Sequence, residues 1–319
     1  MFENIISIIK KYDSIVIFGH LNPDGDCYGS AVGLKHIINL NFSQKKVYLA
    51  GSGVPRFFHL LGKMDEVSDE IIAQSLGIIV DGNDLNRMED QRVHNCIAWA
   101  KIDHHIDTGS FVQGPSVVDE EANSTCDIIV KMVLEQNLEI DEVAANALYL
   151  GILTDSARFQ FVHNYARTFI RASFLCEKGA NPATLNAILT HTSEKYLKAQ
   201  GYVLTHYHKS VEGVLYIAFD KEILEEFDLS PNEAIGMINL LANVENSPVW
   251  ATFAEFGDGK GRIEFRSNGP AVQPYALSIG GGGHLMAAGS PMEHYDDEHI
   301  AKVVADLDEL VRNYRKENK

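Results

Sequence analysis

The sequence predicts a two-domain α/β protein, with an N-terminal domain built on a parallel sheet and a smaller C-terminal domain built on a mixed sheet. Two observations predict this class. Short apolar runs alternate with helical stretches in the first third of the chain, and the pattern changes after about residue 200 to strands joined by glycine-rich turns. The chain has 319 residues, which suits two domains of about 100–200 residues each.

Three apolar runs in the first domain predict buried strands, at Ser14–Phe18, Leu76–Val80 and Cys96–Ile102. Each run is almost continuously apolar, which is typical of parallel strands that are covered on both faces. Helical patterns occur between and after these runs, at Ser30–Asn39 and Ser124–Glu135, so that predicted strands alternate with predicted helices. We therefore expect a parallel sheet with helices packed on it.

The rest of the chain divides at a polar helical stretch. We expect domains over residues 1–185 and 201–319 and a helical linker over residues 186–200. The hairpin signature GDGKG lies between two predicted strands of the second domain. The other predicted elements are helices at Glu142–Leu153, Thr168–Lys178 and Asp296–Arg315 and strands at Gly213–Phe219, Val249–Phe256 and Arg262–Ser267.

Charge and cysteine content limit the function classes. The formal net charge is −17 and no basic groove is apparent, so we expect no long nucleic acid as partner. No apolar run approaches the roughly 20 residues of a membrane span, and the N-terminus lacks the pattern of a signal peptide. The four cysteines are scattered without a CxxC pair, which predicts a reducing, cytoplasmic environment. Cys27 is interpreted as a small packing residue.

Polar clusters follow the three predicted strands directly, with the sequences GHLNPDGD, DGND and DHH. Ligands bind beyond the carboxyl ends of parallel strands, so these clusters should meet at one edge of the sheet. A fourth cluster, GILTDSARF, ends the helix predicted at Glu142–Leu153. Each cluster alone is explained by a solvated turn or a helix cap, but their coincidence favours a site. The candidate metal ligands are His20, Asp24, Asp26, Asp81, His104 and Asp155.

The ligand types narrow the metal. Two imidazoles and four carboxylates form an oxygen-rich set that suits Mn²⁺, Mg²⁺ or Co²⁺ better than structural zinc. Two such ions, roughly 3.5–4 Å apart, commonly serve phosphoryl hydrolysis. We therefore expect two divalent cations, Mn²⁺ first, with Mg²⁺ or Co²⁺ as alternatives.

A second cluster lies in the C-terminal domain, at Gly280–Ser290 with the sequence GGGGHLMAAGS. Consecutive glycines let backbone N–H groups approach a phosphate closely, and a guanidinium at the end of a hairpin strand could bind one. A glycine run is also typical of a flexible turn, and a lone arginine of a surface charge. The candidate substrate-binding residues here are Arg266, Ser267, Asn268, Gly281, Gly282, Gly283 and His284.

These motifs resemble a known family. HLNPDGDCYGS, VDGND, DHH and GILTDSARF resemble, in order, the four motifs of DHH phosphoesterases, and RSN and GGGGH resemble the DHH-associated C-terminal domain. The resemblance covers about residues 10–290. The short two-domain layout is similar to the nanoRNase branch, whose members degrade very short oligonucleotides and dephosphorylate 3′-phosphoadenosine 5′-phosphate (pAp). Similar stand-alone members cleave cyclic di-AMP or its linear product.

The resemblance implies a role for each domain and each candidate residue. Residues 1–185 would be the metal-binding catalytic domain and residues 201–319 the substrate-binding domain, with the active site in the cleft between them. Asp81 would bridge the two metals, and the catalytic residues would be Asp81, Asp103, His104 and His105. One metal would be held by His20 and Asp24, and the other by Asp26, His104 and Asp155. Asp103 would orient these ligands. The substrate phosphate would be bound by His105, Arg266, Ser267 and His284, with help from Arg158.

The expected function is a Mn²⁺-dependent phosphoesterase that removes nucleoside monophosphates from short oligonucleotides, or converts pAp to AMP and phosphate. One alternative is a phosphodiesterase for cyclic di-AMP or for the linear dinucleotides pApA and pGpG. Pyrophosphate hydrolysis is less favoured, because the second domain carries a glycine-rich cluster rather than a lysine-rich one. A different class is a catalytically dead nucleotide-binding regulator. Partners would be short oligonucleotides or nucleotide bisphosphates, without a membrane, and a homodimer is compatible with this interpretation.

Overall fold

The computed structural model describes residues 1–107, 109 and 114–318, and the chain divides into two compact units, Met1–His191 and Thr192–Lys319. Each unit has its own sheet and its own hydrophobic core. The linker predicted over residues 186–200 contains the end of one helix and the start of another. The predicted domain borders stay a prediction.

A five-stranded parallel sheet forms the centre of the first unit. Its strands are β1 (Ser14–Phe18), β2 (Lys46–Ala50), β3 (Leu76–Val80), β4 (Ala98–Asp103) and β5 (Ser116–Val118). Its helices are α1 (Glu3–Lys11), α2 (Gly25–Asn41), α3 (Phe58–Leu61), α4 (Asp69–Ala73), α5 (Thr125–Glu135), α6 (Glu142–Asp155), α7 (Tyr165–Glu177) and α8 (Pro182–Thr190).

The strands lie in the order β2-β1-β3-β4-β5, and every pair is parallel. Along β1, Ile15 and Ile17 face the larger core, while Val16 and Phe18 face a smaller core on the other side. Both faces are therefore covered, as the apolar runs predict. Because β1, β3 and β4 are neighbours, their carboxyl ends lie at one edge of the sheet. This confirms the parallel α/β prediction, although β2 and β5 were not predicted.

Helices α2 and α6 pack closely because glycines lie between them. A Cβ on Gly29 would come within 2.3 Å of the carbonyl oxygen of Ala147. A Cβ on Gly151 would come within 2.6 Å of a carboxylate oxygen of Asp26. The first turn of α2 therefore lies against the last turns of α6, and this contact brings two candidate ligands from distant parts of the sequence together.

The second unit is built on a six-stranded mixed sheet in the order β10-β11-β9-β8-β7-β6, in which only β7 and β8 pair in parallel. Its strands are β6 (His208–Lys209), β7 (Leu215–Phe219), β8 (Val249–Gly257), β9 (Lys260–Ser267), β10 (Gly282–His284) and β11 (Ala287–Met292). Its helices are α9 (Glu194–His206), α10 (Lys221–Glu226), α11 (Pro231–Ile235), α12 (Gln273–Ser278) and α13 (Asp297–Glu317).

The glycine run forms part of this sheet rather than a free turn. Gly282 and His284 begin and end β10, which pairs with the following strand β11 as a hairpin. One face of the sheet packs against α13, and the other forms a separate core that contains Trp250. Among the described residues, no helix has both the length and the apolar character that crossing a bilayer requires.

The glycine contact between α2 and α6 predicts an asymmetric result for two Gly→Ala substitutions. Gly29→Ala should destabilise the protein by about 1–3 kcal/mol, because the methyl group would collide with the backbone of Ala147. Gly201→Ala in α9 meets nothing within 4 Å and should stabilise by up to about 1 kcal/mol. Denaturant unfolding measures both. Equal effects of the two substitutions would contradict the close packing.

Candidate metal centre and phosphate-binding residues

The loop after β1 presents the first pair of candidate ligands. Asp24 precedes α2 as its N-cap, and its Oδ1 accepts hydrogen bonds from the amides of Asp26 and Cys27 at 2.9 and 3.0 Å. His20 lies before this loop, and its Nε2 is 3.4 Å from Oδ2 of Asp81. Burial lowers the pKa of His20, but hydrogen bonds with Asp81 and Cys27 raise it to about 12.

Asp26 is fully buried at the start of α2. Its two carboxylate oxygens accept hydrogen bonds from the amides of Thr125 and Cys126, at 2.7 and 2.9 Å. These amides belong to the first turn of α5, where unpaired N–H groups favour an anion. Burial nevertheless raises the pKa of Asp26 well above its usual range, and the charges of Asp81 and Asp155 raise it further.

Asp81 follows β3 and adopts a left-handed backbone conformation with φ of 58°. Its Oδ1 accepts a hydrogen bond from the Thr125 hydroxyl at 3.0 Å and lies 3.5 Å from Nε2 of His104. Burial raises the pKa of this carboxyl, but the hydrogen bond from His20 and the charges of His104 and His105 outweigh burial and lower it. Asp81 therefore stays ionised and contacts several candidate ligands at once.

His104 and Asp155 close the cluster. Nε2 of His104 lies 3.1 Å from Oδ2 of Asp155 and 4.0 Å from Oδ2 of Asp26. The structure extends α6 to Asp155 itself, two residues beyond the predicted helix end. Burial raises the pKa of Asp155 well above its usual value, and the charges of Asp24 and Asp81 add to this effect.

His105 turns toward Asp103. Its Nδ1 lies 2.8 Å from Oδ1 of Asp103, an acceptor, so Nδ1 carries the proton. Burial lowers the pKa of His105, but the hydrogen bond with Asp103 and the charge of Asp81 raise it overall. The other oxygen of Asp103 is buried, and it has no hydrogen-bond partner among the described residues.

The side chains of the site form three groups of three, and within each group the ligand atoms lie within 4.8 Å of one another. Asp81 and His104 each belong to two of these groups. Asp24 belongs to none of the groups found among the described residues, and its Oδ1 caps α2. The groups are His20, Cys27 and Asp81; Asp81, His104 and His105; and Asp26, His104 and Asp155.

This donor set fits divalent cations. Burial is the main cause of the raised pKa values of Asp26 and Asp155, and repulsion between neighbouring carboxylates raises them further. A divalent cation among the carboxylates would offset this repulsion, and the imidazoles supply neutral nitrogen donors. That each predicted ligand binds a metal stays a prediction.

The sequence analysis missed the role of Thr125. Thr125 binds Asp26 through its amide and Asp81 through its hydroxyl. The sequence STCD at the start of α5 is an N-cap signal, which could have indicated free amides there. Cys27 is buried, as a packing residue would be, but its Sγ lies within one of the three groups.

The segment after Asp155 is conformationally unusual. Ala157, Arg158 and Phe159 have consecutive positive φ angles of 46°, 60° and 64°. The amide of Arg158 donates to the carbonyl of Leu153 at 2.7 Å, and that of Phe159 to the Ser156 hydroxyl at 2.9 Å. Arg158 is thus displayed at an exposed bend that these hydrogen bonds maintain.

In the second unit, the predicted phosphate-binding residues lie on and beside the edge hairpin. Nη1 of Arg266 donates to the carbonyl of Phe265 at 2.8 Å. The Ser267 hydroxyl donates to the carbonyl of Pro248 at 3.0 Å, and Asn268 Nδ2 donates to Asn243 Oδ1 at 3.2 Å.

The three glycines differ in their surroundings. A Cβ on Gly281 would come within 2.1 Å of the Gly289 carbonyl, and Gly283 has φ of 130°. Gly282 has open space where a side chain would be, so its backbone is approachable. His284 is exposed at the end of β10.

Comparisons with known proteins agree with this architecture. Residues 14–152 match the model of the DHH family, N-terminal domain, and residues 212–313 match the DHHA1 domain. The chain is 33% identical to the bifunctional oligoribonuclease and PAP phosphatase NrnA of Mycoplasma pneumoniae, over 96% of this chain and 95% of that protein. It is 36% identical to a probable NrnA of Streptococcus mutans, over 91% and 93% of the two chains.

A solved structure supports the fold. An exopolyphosphatase-related protein from Bacteroides fragilis superposes with a TM-score of 0.87 at 22% identity, covering 97% of this chain and 96% of that one.

The raised pKa of Asp155 predicts how the metal-free protein responds to pH. A carboxyl whose pKa is higher in the folded state stabilises the fold while protonated, and this stabilisation is lost as pH rises through the folded pKa. The contribution of Asp155 to the stability of the metal-free protein should therefore be lost from about pH 4, the pKa of a free Asp, upward. Asp155→Asn removes this charge and should be the more stable protein at alkaline pH.

Thermal unfolding in EDTA across this range measures the effect, with Asp13→Asn at a 97% exposed side chain as control. Adding Mn²⁺ should raise the melting temperature of the wild type more than that of Asp155→Asn, since a ligand of the folded state stabilises by mass action. A pH profile of Asp155→Asn that matches the wild type would contradict the buried repulsion.

The affinity of the site for metal should depend on the hydroxyl of Thr125, although this hydroxyl is not a candidate ligand. Thr125→Val keeps the side-chain shape and the amide contact with Asp26 but removes the donor to Asp81. We expect about 10–100-fold weaker Mn²⁺ binding by calorimetry, the usual effect of losing a group that orients a ligand. Thr125→Ser should retain near-normal affinity, and weak binding by both variants would point to packing instead.

Proposed function

Because the chain belongs to the DHH family and carries a DHHA1 domain behind its DHH domain, we propose that it is a metal-dependent phosphoesterase for short oligonucleotides and pAp. It would release nucleoside monophosphates from oligonucleotides, and AMP and phosphate from pAp. The near full-length similarity to proteins named as bifunctional oligoribonuclease and PAP phosphatase supports both substrates.

One observation carries the proposal. Asp81 and His104 are each shared between two groups of candidate ligands, so the groups overlap instead of standing apart. Two neighbouring cations that share a ligand need two groups of ligands with a member in common. An isolated structural site would instead be a closed set of four ligands, commonly rich in cysteine.

We propose that the residues hold two divalent cations, with Mn²⁺ preferred. Asp81 would be the shared ligand, as its central position supports. When bound, such cations lower the pKa of a water molecule and stabilise negative charge on phosphoryl oxygens. The other ligands would be His20 and Asp24 for one ion and Asp26, His104 and Asp155 for the other.

His105 would bind the substrate phosphate. Asp103 accepts the proton of Nδ1, and this hydrogen bond fixes the orientation of the ring. The hydrogen bond with Asp103 and the charge of Asp81 raise the pKa of His105 in the metal-free chain. When protonated on both nitrogens, the ring can donate from Nε2 to an anionic oxygen. Asp103 would thus act through His105 by orienting it.

The second unit would supply further phosphate contacts. Arg266 offers a guanidinium, the exposed His284 a ring N–H, and Gly282 an approachable amide. The hydroxyl of Ser267 donates to the Pro248 carbonyl and accepts from the Gly269 amide, so it would have to turn from Pro248 to donate to a phosphate. The proposed phosphate-binding residues are His105, Arg158, Arg266, Ser267, Asn268, Gly281, Gly282, Gly283 and His284.

The net charge supports short substrates. At −17, the chain as a whole would repel a long polyanion, whereas a few phosphates can be held by local donors. The four cysteines are free thiols, which supports a reducing compartment and therefore the cytoplasm.

The test is turnover of pAp, pApA, pGpG, cyclic di-AMP and a longer RNA with Mn²⁺, Mg²⁺, Co²⁺ or Zn²⁺. We expect the highest kcat/KM with Mn²⁺ on pAp or a linear dinucleotide and little activity on the longer RNA. Preferred turnover of cyclic di-AMP would favour a cyclic-dinucleotide phosphodiesterase. Binding without turnover under every condition would favour a nucleotide-binding regulator.

Asp81→Asn should abolish this hydrolysis while leaving the fold intact, because Asn tolerates the left-handed backbone at this position. Losing several kcal/mol of transition-state stabilisation corresponds to a decrease in kcat/KM of about 10³-fold or more. The matched control is Asp84→Asn, since Asp84 caps a 3-10 helix, a task that Asn also performs. Retained Mn²⁺-dependent activity in Asp81→Asn would refute the assignment.

A further inference from the structure

Strand β9 carries a charged triad on one face. Arg262, Glu264 and Arg266 alternate along the strand, so their side chains share a side of the sheet. Nη2 of Arg262 donates to Oε1 of Glu264 at 2.7 Å, and Nη1 of Arg266 donates to Oε2 at 3.1 Å. One carboxylate thus holds two guanidinium groups, one through each oxygen.

Glu264 is the buried member of this triad. Its side chain is 11% exposed, against 51% for Arg262 and 27% for Arg266. The register across the sheet explains this burial, because Gly289 of β11 lies opposite Glu264, and a Cβ there would come within 2.5 Å of Oε1. The glycine leaves room for the carboxylate, which is therefore fixed in place while both guanidinium groups reach solvent.

The triad shares its face with the proposed phosphate-binding residues of this unit. Arg266 pairs with Ala287 on β11, which in turn pairs with His284 on β10. Directly opposed residues of neighbouring strands point to the same side, so Arg266 and His284 flank Ala287 on one surface. Gly282, with open space at its Cα, lies in the next row, opposite Gly289.

The balance of charge favours an anionic ligand. Two guanidinium groups and one carboxylate leave a net charge of about +1 on a chain whose total is −17. A guanidinium has five N–H donors. Among the described residues, Arg262 uses its side chain toward Glu264, and Arg266 toward Glu264 and the Phe265 carbonyl. Both can therefore bind a phosphate as well.

We propose that Arg262 and Arg266, held by Glu264, form a two-arginine site that selects substrates carrying a second phosphate beside the one that is hydrolysed. Arg262 is the specificity-determining residue and Glu264 is a positioning residue. The inference rests on the proposed function, since it assigns a task to the same substrate. The class of ligand is a nucleotide with two phosphates, such as a 5′-phosphorylated dinucleotide or a nucleoside bisphosphate.

The decisive experiment compares pApA with ApA, which lacks the 5′-phosphate. In Arg262→Gln, the ratio of kcat/KM for pApA to that for ApA should fall about tenfold, the effect of losing one charge-assisted hydrogen bond. The matched control is Arg312→Gln, whose side chain is also 51% exposed and whose Nε donates to Glu212 at 3.0 Å. Its ratio should equal that of the wild type. An unchanged ratio in Arg262→Gln overturns the proposal.

Glu264→Gln tests the positioning role. Loosening both arginines should raise KM for pApA several-fold with kcat retained, and Glu264→Asp should restore part of the loss. A decrease in kcat without a change in KM would overturn this role. Melting temperatures of all variants identify any that are misfolded. Because Arg262→Gln alters an exposed side chain, the comparison of pApA with ApA in that variant remains valid even if the Glu264 variants do not fold.

Failure of the proposed function is distinguishable from failure of this site. If the wild type hydrolyses no substrate, calorimetry compares binding of adenosine 3′,5′-bisphosphate with binding of AMP. A preference for the bisphosphate that disappears in Arg262→Gln and persists in Arg312→Gln supports the two-arginine site without catalysis. Equal binding of both nucleotides by the wild type overturns it.

Discussion

Burial of several carboxylates at one edge of the first sheet is the constraint on which the rest of the structure depends. Asp26, Asp81 and Asp155 come from three separate elements and lie around one imidazole, His104. Such an arrangement repels itself unless backbone amides, imidazoles and cations offset the charges. The fold supplies the first two: the amides at the start of α5 bind Asp26, and three histidines surround Asp81. The parallel strand order and the glycine contact between α2 and α6 bring these elements together.

Local pattern predicted much of the first unit. The bounds predicted for β1 and β3 from the apolar runs are the observed ones, and the parallel arrangement followed from their composition. The short strand β2, with its polar first residue and mixed burial, gave no comparable signal. The contact of Thr125 with Asp26 was beyond prediction, because it joins residues 99 positions apart and depends on how α5 packs. Sequence could indicate an N-cap there, but not which carboxylate would meet it.

In the second unit, local pattern predicted individual strands but not how they pair. The Val249–Phe256 and Arg262–Ser267 strands were predicted to within about two residues, whereas nothing in the sequence showed that the glycine run would form part of a hairpin. That these glycines bind phosphate stays a prediction. Glu264 drew no attention, because a charged residue within a strand normally indicates a solvent-facing position. Its burial arises from the glycine across the strand pair, a feature that only the register reveals.

The left-handed backbone of Asp81 has a consequence for how this fold can diverge. Glycine, asparagine and aspartate enter that region at little cost, whereas other residues add about 1 kcal/mol or more of strain. A descendant that abandoned chemistry but kept its shape would therefore drift most readily to asparagine or glycine here. The residue at this position would therefore distinguish proteins that keep the carboxylate from those that keep only the backbone conformation.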